Sequence, residues 1–297
     1  MRASCTICKY REFDKISSQV RDSINHKIIK CKKCKHVQIY PIPSIDEDKE
    51  FYDKDMQNKN INFYGSIEDH RRISVVDTTR RSIFVNKLTP KNGRILEIGS
   101  GHGFFVGAMH KKKYNITGIE ISIEKRIMAK KVTKAKILDI DLNHDVLDIG
   151  KFDTIVMFHV LEHIADPISF LKKIRTLLKP SGKIIIEVPN CDDFQLELNK
   201  SYRDFYWQRA HLQYFSPKTL KKILSLSGLS SKIIGIQRYS IENMFSWKLT
   251  NKPSLTSPAF DLPKSYEWIE KPYKNKLEKE LRCDTIMAIG KLDKSID

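Results

Sequence analysis

The segment RILEIGSGHGFF, residues 94–105, restricts the fold of this chain more than any other. Residues 94–99 read as a buried strand, Gly99, Gly101 and Gly103 as a tight turn, and the run from Phe104 as the start of a helix. Such a unit opens a doubly wound α/β sheet, where the bare turn lets a ligand lie against backbone and a helix N-terminus. The rest of the chain keeps the alternation, with strands expected at 94–99, 115–121, 135–140, 152–158, 183–189 and 231–237. Helices are expected at 103–112, 122–132, 167–178 and 217–227. Asp166 before Pro167 and Ser216 before Pro217 mark helix starts, and Ser181-Gly182 and Gly228 mark stops. Residues 282–292 read as a last strand.

The glycine spacing narrows the ligand. A dinucleotide fingerprint starting at Gly99 needs glycine at 104, where the chain has Phe104. Glu97 repels a pyrophosphate but suits a cation, such as the ammonium and sulfonium of S-adenosylmethionine. Glu120 ends the next strand 21 residues after Gly99, where a carboxylate accepts both hydroxyls of a ribose. Asp139, after the third strand, is placed for an adenine amino group, with Asp141 as competitor. His159, just beyond strand four, is the first candidate for contact with the cofactor or for a base. His211 follows, set between the aromatic stretches YRDFYW and YFSP, and then His163 and Glu162, for which packing at a helix start is an equal reading.

Four of the six cysteines form a second pattern. Cys5 and Cys8 make one CxxC and Cys31 and Cys34 another, with 22 residues between the pairs. Two such knuckles supply the four soft ligands of a closed, structural zinc site. Lys9, Lys32, Lys33 and Lys35 offset its negative charge. Tyr40 to Pro43 reads as a rigid exit, followed by an acidic connector and a helix over about 66–88. The domain reading is a zinc module at 1–45, a connector and leading helix at 46–90, and the main domain at 91–297. An insertion at about 239–281 is expected to form a lid or substrate wall.

The formal charge of +17 invites nucleic acid, yet only 14 of the 53 basic residues are Arg, and they are scattered. A nucleic-acid partner is therefore disfavoured. The N-terminus carries charge where a secretion signal needs an apolar run, and the apolar stretches are strand-sized, so a cytoplasmic protein without a membrane span is expected.

Taken together, EIGSGHG at 97–103, Glu120, FDTIVMFHVLEH at 152–163 and PSGKIIIEVPN at 180–190 resemble the class I S-adenosylmethionine-dependent methyltransferases. The resemblance covers about 70–240 plus the last strand. HVLEH followed by Asp166-Pro167, HLQYFSPKTL at 211–220 and the CKKCKHVQIYPIP knuckle resemble a small-molecule branch with an N-terminal zinc knuckle. Lys35 stands where that knuckle usually has glycine. The resemblance implies a seven-stranded sheet of order 3-2-1-4-5-7-6 with an antiparallel last strand, and a site at the carboxyl ends of the strands. It further implies methyl transfer to O or N of a small molecule, a sugar or sugar nucleotide of glycan or polysaccharide synthesis. RNA base methylation is the rival enzyme reading, but no NPPY-type motif follows strand four. A non-catalytic zinc-stabilised binding protein is the reading from another class. C-methylation ranks below O- or N-methylation because the chain ends soon after its last strand. Oligomeric state is left open.

Overall fold

The computed structural model describes residues 3–44, 47, 66–142, 148–254, 265 and 267–293. Most of the expected acidic connector and the middle of the expected insertion lie outside these residues. The central sheet has seven strands: β4 (Arg94–Ile98), β5 (Asn115–Ile119), β6 (Lys136–Leu138), β7 (Phe152–Phe158), β8 (Leu178–Pro189), β10 (Leu229–Ile236) and β11 (Thr285–Leu292). Their spatial order is β10-β11-β8-β7-β4-β5-β6, with β11 antiparallel to both neighbours and the others of the β8 to β6 run parallel. Counted along the chain within this sheet, that is the expected 3-2-1-4-5-7-6.

Strands buried on both faces need near-continuous apolar sequence. On one face, Leu96, Ile98, Ile155, Met157, Ile184 and Ile186 pack with Leu171 and Ile174 of α4 (Pro167–Arg175) and Leu220 and Ile223 of α7 (Pro217–Leu226). On the other, Ile95, Val156, Phe158 and Ile185 pack with Val85 of α1 (Ile67–Leu88) and Val106 and Met109 of α2 (Phe104–Lys111). The remaining flanking helix is α3 (Ile123–Val132), capped by Ser122.

Two boundaries differ from expectation. The helix expected to reach 178 stops at Arg175, and β8 starts at Leu178 and runs through Ser181-Gly182. Leu178 already pairs with Phe152, after which the register slips. A Cβ on Gly182 would come 3.0 Å from the Phe152 carbonyl oxygen, so this glycine permits an irregular strand instead of ending a helix.

The cysteine segment also has more regular structure than two turns. β1 (Phe13–Ser17), β2 (Lys27–Cys31) and β3 (Val37–Tyr40) form an antiparallel sheet completed by β9 (Gln213–Tyr214). Its core joins Ile28, Val37 and Ile39 to Tyr202, Tyr206, Trp207, Leu212 and Tyr214. Within the expected insertion lie α8 (Ile241–Thr250) and α9 (Glu267–Glu280). Trp247 of α8 is buried in the same aromatic cluster, with its ring edge-on to Tyr202 at 5.4 Å. Two short helices, α5 (Gln195–Leu198) and α6 (Lys200–Tyr206), lead into that cluster. No helix among the described residues is long and apolar enough to cross a membrane.

After β8, Asp193 is buried, accepting from the Gln195 amide at 2.9 Å and the Tyr202 hydroxyl at 2.6 Å. Burial, reinforced by the nearby Asp284, pushes its carboxyl up to about 7. A carboxyl raised on folding contributes stability that is intact below its unfolded value near 4 and is lost as pH rises through the folded value. Stability should therefore fall between about pH 4 and pH 7, by up to about 4 kcal/mol from this group. Urea unfolding across that range should show the slope reduced in Asp193→Asn relative to the wild type.

Candidate functional site

The glycine turn after β4 has φ of 70° at Gly99, 52° at Gly101 and 75° at Gly103, a region L residues enter at a cost. The three glycines do different things. A Cβ at Gly99 would lie 2.5 Å from Val160 Cγ2, and one at Gly103 3.0 Å from Ala129 Cβ, so both serve packing. At Gly101 a Cβ would meet nothing within 4 Å, which leaves this backbone facing open space. Glu120, at the end of β5, lies over it: one carboxylate oxygen accepts the Gly101 amide at 2.7 Å and the other the Ser122 amide at 3.0 Å. From the opposite side α1 approaches the turn, stacking His70 against His102 at 4.3 Å.

Glu97 is buried beneath the turn, and its Oε2 has no hydrogen-bond partner. Burial raises its carboxyl well above the ordinary range, and the neighbouring Glu120 adds to the rise while Arg81 opposes it. A buried carboxylate with one oxygen unpartnered, beside open backbone and a second acid, fits a ligand that brings an ammonium at one end and a ribose at the other. Asp139 sits at the rim instead: its side chain is 66% exposed and paired at 2.6 Å with Arg126, which also donates to the Glu120 and Ile121 carbonyls.

Across the turn, at the ends of β7 and β8, lies a network that the sequence did not disclose. Glu187 is fully buried and receives both nitrogens of a fork from Arg80 at 2.9 and 3.0 Å, together with Arg81 at 2.5 Å. Both arginines come from α1. Asp77, one turn earlier on that helix, binds Arg80 at 2.7 Å and Arg238 at 2.6 Å. Burial works against the Glu187 carboxylate, but Arg81, His159 and Arg80 hold it well below its usual range.

His159 occupies a left-handed backbone position, φ 56°, immediately after β7. Its Nδ1 is 3.3 Å from Glu162 and its Nε2 3.4 Å from Glu187. Burial disfavours charge on this imidazole, yet the two carboxylates outweigh it and raise its pKa. With a carboxylate at each nitrogen, His159 has the geometry of a bridge more than of a base turned toward a substrate.

The other histidines converge one turn further on, in the 3-10 turn Leu161–His163 and the loop before β9. His163 donates Nδ1–H to the Ala210 carbonyl at 2.7 Å and packs edge-on against His211 at 5.0 Å. Burial, with His163 close by, lowers the His211 pKa to about 3. Glu162 is buried between them; burial opposes its charge, but His159, His163 and His211 hold it down to about 2. Thus the structure brings His159, Glu162, His163 and His211 together.

Gln213 braces this region. Its amide nitrogen donates to the Ile164 and Ala165 carbonyls at 3.2 and 3.1 Å, and its oxygen accepts from Thr6 Oγ1 at 2.9 Å and His36 Nε2 at 2.8 Å. Thr6 and His36 belong to the cysteine segment. There, Cys5 and Cys34 sulfurs are 3.5 Å apart and those of Cys8 and Cys31 3.6 Å, with all four within 4.8 Å of one another. Lys35, the departure from glycine, takes the left-handed φ of 64° that the knuckle requires. Burial pushes the Cys5 thiol up, and the Cys34 thiol up to about 11, whereas at Cys8 the opposing burial is outweighed by hydrogen bonds from the Tyr10 backbone and the neighbouring cysteines, which bring it down to about 7.

A methyltransferase-domain family matches residues 69–231, more than half of the chain. The chain belongs to that family. Among curated relatives of this methyltransferase domain, the ubiquinone biosynthesis O-methyltransferase of Actinobacillus pleuropneumoniae serotype 7 is 31% identical over 107 residues, 33% of this chain and 46% of that protein. The Haemophilus ducreyi protein of the same name is 27% identical over 129 residues, 40% of this chain and 52% of its own. The chain thus spans about half the length of the curated relatives it matches. In structure, the methyltransferase fold is shared with an S-adenosylmethionine-dependent methyltransferase from Archaeoglobus fulgidus, at TM-score 0.51, 21% identity and coverage of 81% of this chain and 99% of that one. The plantazolicin methyltransferase BpumL gives TM-score 0.52, 18% identity and coverage of 83% and 94%.

Glu187 is the group whose loss should be felt most widely. Glu187→Gln preserves volume but leaves Arg80 and Arg81 facing a neutral amide, and should cost about 3 kcal/mol in urea unfolding.

Proposed function

We propose that this chain is an S-adenosylmethionine-dependent methyltransferase acting on an oxygen of a small molecule. The observation that carries the reading is the cradle: open backbone at Gly101, the unpartnered oxygen of buried Glu97, and Glu120 held over the turn. In it Glu97 receives the cofactor's ammonium, Glu120 its ribose hydroxyls, and Gly99, Gly101 and Gly103 its close approach, with Asp139 at the adenine rim and His159 between cofactor and acceptor. The bound cofactor supplies an electrophilic methyl on a positive sulfur. Methyl transfer needs alignment above all, which is worth ~7 to 11 kcal/mol when the reacting atoms are held in line.

With the cofactor bound, the acceptor oxygen would take the methyl carbon as the carbon–sulfur pair passes to sulfur, and the hydroxyl proton would pass to solvent. Glu162, His163 and His211 are the groups that receive the acceptor on the far side of His159, and His159 holds Glu162 and Glu187 in register. The names of the curated relatives favour an oxygen acceptor over nitrogen. For the acceptor itself we favour a sugar or sugar nucleotide, on the resemblance of the knuckle and of HLQYFSPKTL to the sugar-modifying branch. We infer a small-molecule rather than a nucleic-acid partner from the scattered lysines.

Calorimetry of S-adenosylhomocysteine binding tests the cradle. Gly101→Arg should abolish binding, since its side chain fills the open space, while the backbone strain costs only about 1 kcal/mol of stability. Tight binding by the variant, or none by the wild type, overturns the reading.

We also assign a structural zinc ion to Cys5, Cys8, Cys31 and Cys34. Tetrahedral thiolates at ~2.3 Å from zinc lie about 3.8 Å from one another, close to the separations present. Because β3 of this segment pairs with β9 just after His211, zinc loss should reach the site. Cys31→Ser should lower the zinc content and speed hydrogen exchange at residues 208–214, read by mass spectrometry; unchanged exchange in a zinc-free chain contradicts the linkage.

A further inference from the structure

Glu162 stands out among the described residues as a buried acid with both oxygens unpartnered. It is 1% exposed, and neither carboxylate oxygen has a hydrogen-bond partner. His159 Nδ1 lies at ion-pair distance, 3.3 Å, without the alignment of a hydrogen bond. Leaving a buried polar group unsatisfied costs about 1 to 3 kcal/mol, and more when it is charged. Two imidazoles meet it: the ligand atoms that Glu162, His163 and His211 offer all lie within 4.8 Å of one another.

We propose that Glu162, His163 and His211 form a second metal centre, which takes a divalent cation such as Zn2+ or Mn2+ and presents it to the acceptor oxygen. Two imidazoles and one carboxylate are the donor set of open metal sites, which keep positions for water or substrate. This differs in kind from the four thiolates, whose soft and closed set leaves no such position. The surroundings prepare the ligands. The His163 Nδ1–H bond to the Ala210 carbonyl fixes the tautomer and assigns the lone pair to Nε2, the arrangement by which ligating histidines are oriented. The Leu212 amide donates to the Glu162 carbonyl at 2.8 Å, which ties the loop carrying His211 to the turn carrying the other two ligands. Gln213 then fastens that loop to the Ile164 and Ala165 carbonyls. Metal–nitrogen bonds of ~2.0 to 2.1 Å would bring ligand atoms about 3 to 3.5 Å apart, within the 4.8 Å that bounds the present separations.

The role of this ion rests on the methyl-transfer reading. A hydroxyl bound to the ion loses its proton to solvent more readily, as metal-bound water does. Its oxygen pair then forms the bond to the methyl carbon, and the carbon–sulfur pair passes to sulfur. The existence of the site does not rest on that reading and is measured without turnover.

The test uses the full chain with its cysteine site already loaded with zinc, titrated with Mn2+ and separately with Zn2+. Paramagnetic resonance of free Mn2+ and calorimetry report uptake, and S-adenosylhomocysteine affinity and zinc content are measured on the same samples. The wild type should take up about one further equivalent. Glu162→Gln and His211→Gln should each weaken that uptake by about 100-fold, with thiolate-bound zinc and S-adenosylhomocysteine affinity unchanged. No further uptake of either ion by zinc-loaded wild type overturns the proposal, as does uptake that both variants retain. A chain that takes up the ion but not S-adenosylhomocysteine keeps the metal centre and loses the methyl-transfer reading, so the two failures separate.

Discussion

A carboxylate carried into a protein interior costs several kcal/mol unless cations come with it, and Glu187 is carried in completely by its place at the end of β8. The strand cannot turn it out to water, because Val188 and Ile186 on either side belong to the core. The cations come from α1, which is thereby held across the end of the sheet by Arg80 and Arg81. Asp77 extends the same set of charges to Arg238 beyond β10. One buried acid thus fixes the helix that roofs the glycine turn, the histidine that follows β7, and the approach to both. The packing beneath is generic for a doubly wound sheet; the orientation of the roof is specific to these charges.

The second organising element is the short strand β9. It contributes only Gln213 and Tyr214, yet it is the edge on which the N-terminal sheet is built. An edge strand offers unpaired backbone groups, and closing that edge with another segment protects both. Here the closing segment is tied down by its cysteines, and Gln213 relays its position to the carbonyls of Ile164 and Ala165. His211 lies two residues before that strand, so the accuracy with which it meets Glu162 depends on a part of the chain about two hundred residues away.

Most strand positions were legible because buried parallel strands write themselves as apolar runs between capped helices, whereas the sheet order was implied by the resemblance to the methyltransferase family and not by the runs themselves. The turn proposed to hold the cofactor was legible through spacing: glycines at 99, 101 and 103, an acid two residues before, another at the end of the next strand. The N-terminal strands were not, because β1 is FDKIS, a largely exposed segment whose pattern carries little apolar signal. Nor were Arg80, Arg81, Glu187 and Gln213, because the contacts of both arginines with Glu187, and of Gln213 with Thr6 and His36, join residues far apart in the chain and leave no local trace. His159 was legible by its position after β7, while its contacts with Glu162 and Glu187 were not, since the two carboxylates come from different elements. Asp139 was placed by its strand, and only the geometry shows Arg126 drawing it to the rim.

The hydrogen bond between Glu120 and the Gly101 amide gives the cradle a particular thermodynamic character. Donor and acceptor satisfy each other before any ligand arrives, so the turn and the carboxylate are held in shape without paying conformational entropy at the moment of association. Each carboxylate oxygen keeps a further lone pair, so a hydroxyl-bearing ligand adds to this contact without breaking it, whereas a molecule that covers the carboxylate and offers no donor leaves those lone pairs desolvated. Discrimination at that wall therefore comes from the cost imposed on poor matches, on a surface already in shape before the ligand arrives.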